Sequence, residues 1–204
     1  SGVLRDYLYQ KSLYPSAISA TKEDLSMSQA IARQALYLAM QSARRDFPRN
    51  IVNIKPNLTP LFDPIIASGG ALSDASRSGQ GLLLLLDAIQ PVGVSSVILD
   101  QNNLLPLLGA AASQNNILPV QVLESGAFLS VGTLVAPVVT ANYGVSILRA
   151  KLTYQNGSEA RVDLKYGSIE TLPLSSGETG TLTIQCLHGA DIGFGPGRGG
   201  TTTV

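Results

Sequence analysis

The sequence predicts an α/β half followed by an all-β half, and three observations carry that reading. The stretch Pro64-Ile65-Ile66-Ala67-Ser68-Gly69-Gly70-Ala71-Leu72 runs two β-branched residues into a small-residue turn, and the apolar run Gly81–Ile89 follows it. That is the pattern of a buried strand, a tight turn and a helix. Helix, strand, helix, strand and helix then alternate up to about residue 115, the order of an α/β segment. Beyond Asn115-Asn116 the helical period gives way to strand-like runs separated by turns, as in small β-barrels and sandwiches.

Taken in order, residues 1–20 place Tyr7, Tyr9 and Tyr14 beside Leu4, Leu8 and Leu13 before a break at Pro15. They read as a short helix or an extended connector. Thr21-Lys22-Glu23-Asp24 matches a capping box, with Asp where Glu or Gln is preferred. From Ser28 to about Arg45 the residues Ala32, Ala35, Leu36, Ala39 and Ala43 recur at helical spacing, and Arg44 and Arg45 suit the negative end of a helix dipole. Pro48 ends that helix. Ile51-Val52-Asn53-Ile54 reads as a loop or edge strand leading to the strand Pro64–Ser68. Pro91-Val92-Gly93 breaks the chain before a strand over Val94–Leu99, closed by Asp100. Asn102-Asn103 turns the backbone, and Leu104–Ala112 is helical with Pro106 tolerated in its first turn.

In the second half, Val120–Leu123, Phe128–Val139, Ser146–Tyr154, Ser158–Tyr166, Ile169–Leu174 and Thr179–Leu187 read as strands. Gln155-Asn156-Gly157 is a hairpin turn, and Ser175-Ser176-Gly177-Glu178 is another. The expected domains are residues 1–115, the α/β segment, and 116–204, the β-barrel or sandwich.

Composition narrows the function classes. A chain of 204 residues forms one large domain or two small ones and hides about 70% of its unfolded surface. Apolar residues make up 45% and charged residues 14%, well under the usual quarter, so part of the surface is expected to be covered in its native setting. The 14 basic and 14 acidic residues cancel, leaving no net field to hold nucleic acid or an anionic membrane. Cys186 is the single cysteine, so no intrachain disulfide forms and a cytoplasmic location is the expectation. No run approaches the roughly 18 apolar residues of a spanning helix, and no signal peptide opens the chain. Its start at Ser1-Gly2 and its end on a strand-like Gly199–Val204 read as a fragment.

Candidate chemistry is thin. His188 is the sole histidine and no Gly-x-Ser-x-Gly elbow accompanies it, so it reads as a loop residue rather than a triad base. Cys186 shares a strand face with Leu182 and Ile184 and reads as a packed thiol. One histidine and one cysteine without clustered carboxylates support no zinc site. Among the scattered Asp63, Asp74, Asp87 and Asp100, Asp87 ends an apolar helix, either buried and paired or at its polar edge. Gly193–Gly200 has the glycine content of a phosphate loop but lacks Gly-Lys-Ser/Thr and a following helix, so a flexible β-connection is expected. The sequons at Asn57 and Asn156 match by chance. Gly69-Gly70 allows close approach by a ligand or by a neighbouring helix, and the motif alone favours packing.

Several stretches, in order, resemble a known family. Ala67–Leu72, Gly81–Gly93 and Leu104–Ala111 are similar to the C-terminal part of an actin-like ATPase domain, in the branch of glutamate-mutase accessory proteins (MutL/GlmL). Val122–Gly126, Gly132–Pro137, Tyr166–Glu170 and Asp191–Gly200 resemble the region that follows it. The resemblance implies a partial actin-like α/β subdomain in which a strand ending in Gly-Gly approaches adenosine, so Ser68, Gly69 and Gly70 would bind ATP. It implies no catalytic and no metal-binding residue here, because the Asp-x-Gly phosphate loops of that superfamily have no counterpart. Asp191-Ile192-Gly193 has the letters in the wrong order along the fold. Without those loops the chain is not expected to position Mg²⁺ or hydrolyse ATP by itself. The implied role is an ATP-driven chaperone or reactivating factor for a cobalamin-dependent mutase. The alternative is a structural or protein-interaction β-domain module without a nucleotide site, binding another protein or a second copy of itself.

Overall fold

The computed structural model describes residues 2–15, 17–48, 54–55, 58–73, 78–175 and 177–204. Asn57, Asp74, Ser176 and most of the 51–54 run lie outside the described residues. The described elements, in chain order, are α1 (Gly2–Leu13), α2 (Lys22–Ala43), β1 (Ile65–Ser68), α3 (Gly70–Ser73), α4 (Ser78–Ile89), β2 (Gly93–Asp100), α5 (Leu105–Ala112), α6 (Ile117–Glu124), β3 (Leu129–Ala136), β4 (Ser146–Tyr154), β5 (Glu159–Lys165), β6 (Gly180–Cys186) and β7 (Gly200–Thr203). One sheet has the order β1-β2-β3 and the other β5-β4-β6-β7. Among the described residues no helix is long and apolar enough to cross a membrane.

Two compact units divide the chain: residues 1–48, 66–90 and 98–131 form one, and residues 49–65, 91–97 and 132–204 the other. In the first, helix α2 starts six residues earlier than its periodicity suggests, because the capping box is complete. Asp24 N–H donates to Thr21 Oγ1 at 3.0 Å, and Thr21 N–H donates to Asp24 Oδ2 at 3.3 Å. The shorter Asp reaches back at the cost of a longer second bond. Its inward stripe also differs from the alanine pattern. Leu25, Ala32, Leu36, Met40 and Ala43 are half-buried while Ala35 and Ala39 are exposed. Helix α4 supplies Leu84, Leu85, Ala88 and Ile89 to the core of this unit, beside Ala67, Leu72, Leu99 and Leu108. Asp87 lies on the polar edge of α4, where it accepts from Arg33 Nη1 of α2 at 2.8 Å.

Helix α6 corrects the expectation that no helix follows residue 115. Val120–Leu123, taken from the sequence as a strand, is helical. A short apolar run has no decisive period, and Pro119 falls in the first turn, where its missing N–H is not needed. Asn115 Oδ1 accepts from Ile117 N–H at 3.0 Å and closes the helix start.

The second unit is built on the four-stranded sheet. β4 pairs antiparallel with β5 and with β6, and β6 with β7. The sheet is open, with β5 and β7 as its edges, so of the expected barrel or sandwich the closed barrel does not form among the described residues. Alternation explains its core. Gly180, Leu182, Ile184 and Cys186 of β6 face inward, as do Leu148, Ala150 and Leu152 of β4, at the period of two that strands impose. Gly157 at φ +81° makes the Gln155–Gly157 hairpin turn, and Asn156 Oδ1 accepts from the backbone N–H and the hydroxyl of Ser158. Ile169–Leu174 forms no strand, contrary to its composition. Leu172 and Leu174 instead pack onto the core, and Tyr154 Oη donates to Pro173 O at 2.6 Å.

Candidate functional site

Two strand ends meet at the Gly-Gly turn. Ser68 closes β1 and Asp100 closes β2, its neighbour in the sheet. Ser68 Oγ lies 3.0 Å from Asp100 Oδ2, so the carboxyl ends of the two strands lie side by side and the strands run parallel. The connection through α3 and α4 is the helical crossover that adjacent parallel strands require. Ligands of open α/β sheets gather outside the carboxyl ends of parallel strands.

Asp100 is fully buried. Its Oδ1 accepts from Leu104 N–H and its Oδ2 from Leu105 N–H, each at 2.9 Å, so it caps the first turn of α5 as well as holding Ser68. Burial pushes its pKa up, but the N–H groups of Leu105 and Leu104, the Ser68 hydroxyl and the Asn102 N–H outweigh burial and hold it below the usual carboxylate value. Asp100 is therefore an ionised structural acceptor whose lone pairs are already engaged.

Asn103 is the third member. It sits in the left-handed region at φ +52°, a conformation Asn tolerates better than most side chains. Its Oδ1 accepts from Gly69 N–H at 3.0 Å and lies 3.2 Å from Ser68 Oγ. The Ser68 proton serves one acceptor at a time, and the carboxylate of Asp100 is the stronger.

Gly69 has φ +110°, and a Cβ built on it meets no atom of the described residues within 4 Å. The glycine is thus required by its backbone angle and not by a close neighbour. Gly70 opens the short helix α3 and is exposed. Leu72 N–H and Ser73 N–H both donate to Gly69 O, closing the turn. The three expected residues therefore stand together in one turn. Asp100 and Asn103, which sequence reasoning treated as a strand end and a simple turn, belong to the same cluster. The signal was present as an Asp followed by Asn-Asn directly after a strand, a composition suited to side-chain bonding to the backbone.

The other candidates resolve into structural roles. Asp191 Oδ1 accepts from Gly193 N–H at 2.8 Å and Gly195 N–H at 3.0 Å. Asp191 also exchanges both backbone bonds with Val138. The glycine-rich segment is therefore an anchored connection rather than the loose one its composition suggests. Gly199 passes against the Ile184 carbonyl, and Gly200 lies under the Phe194 ring. His188 is a loop residue at φ +51°. Cys186 is buried, and burial followed by the nearby Asp191 carboxylate pushes its thiol pKa up. Among the described residues no three His, Cys, Asp or Glu side chains gather to hold a metal ion.

The family model described as MutL protein matches residues 2–126. The match takes in Ser68, Gly69, Gly70, Asp100 and Asn103 and stops before β3. No curated protein and no solved structure matches the chain.

Proposed function

The chain belongs to the MutL family, associated with glutamate mutase, and from that premise we propose that it is part of an actin-like ATP-binding protein whose Ser68-Gly69-Gly70 turn lies against the adenosine of ATP. The observation that carries this reading is the open space over Gly69, at the carboxyl end of a parallel strand. The backbone angle of Gly69 calls for glycine, and among the described residues no atom occupies the space where a side chain would stand. A backbone free of side chains lets a flat base or a ribose approach closely. The turn is also held in place, because Asp100 and Asn103 bond Ser68 and Gly69, and a rigid first contact lowers the ordering cost of binding. Within this reading the protein acts as an ATP-driven chaperone or reactivating factor for a cobalamin-dependent mutase. This chain supplies adenosine contacts, and no phosphate chemistry is assigned to it.

The test is ATP affinity by calorimetry on the full-length protein, wild type against Gly70→Arg, with folding followed by circular dichroism. A folded Gly70→Arg protein that has lost ATP supports the adenosine assignment. A wild-type protein that takes up no heat with ATP sinks it, and leaves the interaction-module reading.

A further inference from the structure

The Gly69 N–H can only donate, so it fixes which end of the Asn103 carboxamide meets the turn: Oδ1 does. The Nδ2 end follows from covalent geometry. A planar amide separates its oxygen and nitrogen by about 2.2 Å, which keeps Nδ2 within about 5 Å of Gly69 N. No described residue accepts from Nδ2, and Asn103 is exposed. The polar inventory of the turn is thus unequal. The Gly69 N–H, the Ser68 proton and the Asp100 oxygens are all engaged within the protein, while the two Nδ2 hydrogens are bonded to no described residue and face the exposed side.

We propose that Asn103 is a ligand-contacting residue of this site: its Oδ1 holds the turn in place while its Nδ2 donates to a hydrogen-bond acceptor of the bound nucleoside, a ring nitrogen or a ribose oxygen. The proposal rests on the nucleotide reading above and adds to it a residue that neither the Gly-Gly motif nor the family match assigns. The left-handed backbone at Asn103 fits this double duty. It places a short planar amide beside the turn, where an aspartate would also accept from Gly69 N–H but would offer the nucleoside no donor and would set a second negative charge near Asp100.

Two variants of the full-length protein separate this role from a merely structural one. Asn103→Asp retains the acceptor for Gly69 N–H and removes both donors. Asn103→Gly suits a backbone at φ +52° and removes the whole side chain. Calorimetry is run with ATP and with uncharged adenosine, so that repulsion between an aspartate and phosphate is not mistaken for a lost donor, and thermal unfolding is recorded beside it. Both variants are expected to fold and to lose about tenfold or more in adenosine affinity, the loss that follows from one good hydrogen bond. Wild-type adenosine affinity in either variant, alongside a Gly70→Arg protein that has lost binding, overturns the role of Asn103 and leaves the nucleotide site standing. A wild-type protein that binds neither ATP nor adenosine overturns both.

Discussion

Ser68 Oγ donates to Asp100 Oδ2 across 3.0 Å and joins the ends of two parallel strands that are 32 residues apart in the chain. The same carboxylate takes two N–H groups at the start of α5. One buried acid therefore aligns the Gly-Gly turn, the end of β2 and a helix entry, and its charge is what makes three donors converge.

That charge makes stability depend on pH. The folded pKa of Asp100 lies below its unfolded value of 3.8. Its contribution is thus fully present above about pH 5 and is lost as pH falls through the unfolded value toward the folded one. Asp100→Asn is expected to cost about 1.5–3 kcal/mol at pH 7, because hydrogen bonds to a charged acceptor are lost and an amide donor is turned toward backbone N–H groups. Urea unfolding of both proteins at pH 7 and at pH 3, below the unfolded value, checks this, since the gap between them should narrow there. A gap that stays constant contradicts the assignment.

Cys186 should be inert in the native protein. Its thiol is buried in the β4–β6 core and its pKa is raised by burial and by Asp191, which keeps the reactive thiolate scarce. A thiol reagent such as DTNB at pH 8 is expected to react slowly with native protein and to titrate one thiol at once in guanidinium. Immediate reaction in native buffer removes the packed-thiol reading.

Two glycine substitutions should act with opposite sign. A Cβ at Gly199 falls on the Ile184 carbonyl and 3.2 Å from Gln185 Cα, in the paired backbone of β6, which cannot yield. Gly199→Ala is therefore expected to cost about 1–3 kcal/mol or more, the penalty of overpacking. A Cβ at Gly109 in α5 meets nothing within 4 Å, so Gly109→Ala should stabilise by about 0.5–1 kcal/mol through helix propensity. Thermal or urea midpoints decide both, and a stabilising Gly199→Ala or a destabilising Gly109→Ala contradicts the packing described.

The chain's own letters were enough wherever the signal was local. The strand into Ser68, the apolar helix ending at Asp87, the strand ended by Asp100 and the Gln155–Gly157 hairpin all depend on spacing, turn chemistry or β-branching within a dozen residues. The glycine-rich segment could not be read from its letters, because composition does not say that Asp191 would accept from two of its N–H groups. Ile169–Leu174 looked like a strand by its composition, but Ile169 is exposed, Leu172 and Leu174 pack inward, and among the described residues no neighbouring backbone completes a ladder with it.

By itself the sequence determined the α/β-then-β order, the positions of most helices and strands, and the membership of the MutL family that its residues 2–126 carry. Only the tertiary structure decided that Ile117–Glu124 is a helix, that the β4–β7 sheet stays open, and that Asp100 and Asn103 reach Ser68 and Gly69. The physical reason is range. Periodicity and turn chemistry act between near neighbours, whereas the cluster at the turn exists because a helical crossover returns β2 to the side of β1 in one register, and that register is set by the packing of the whole unit.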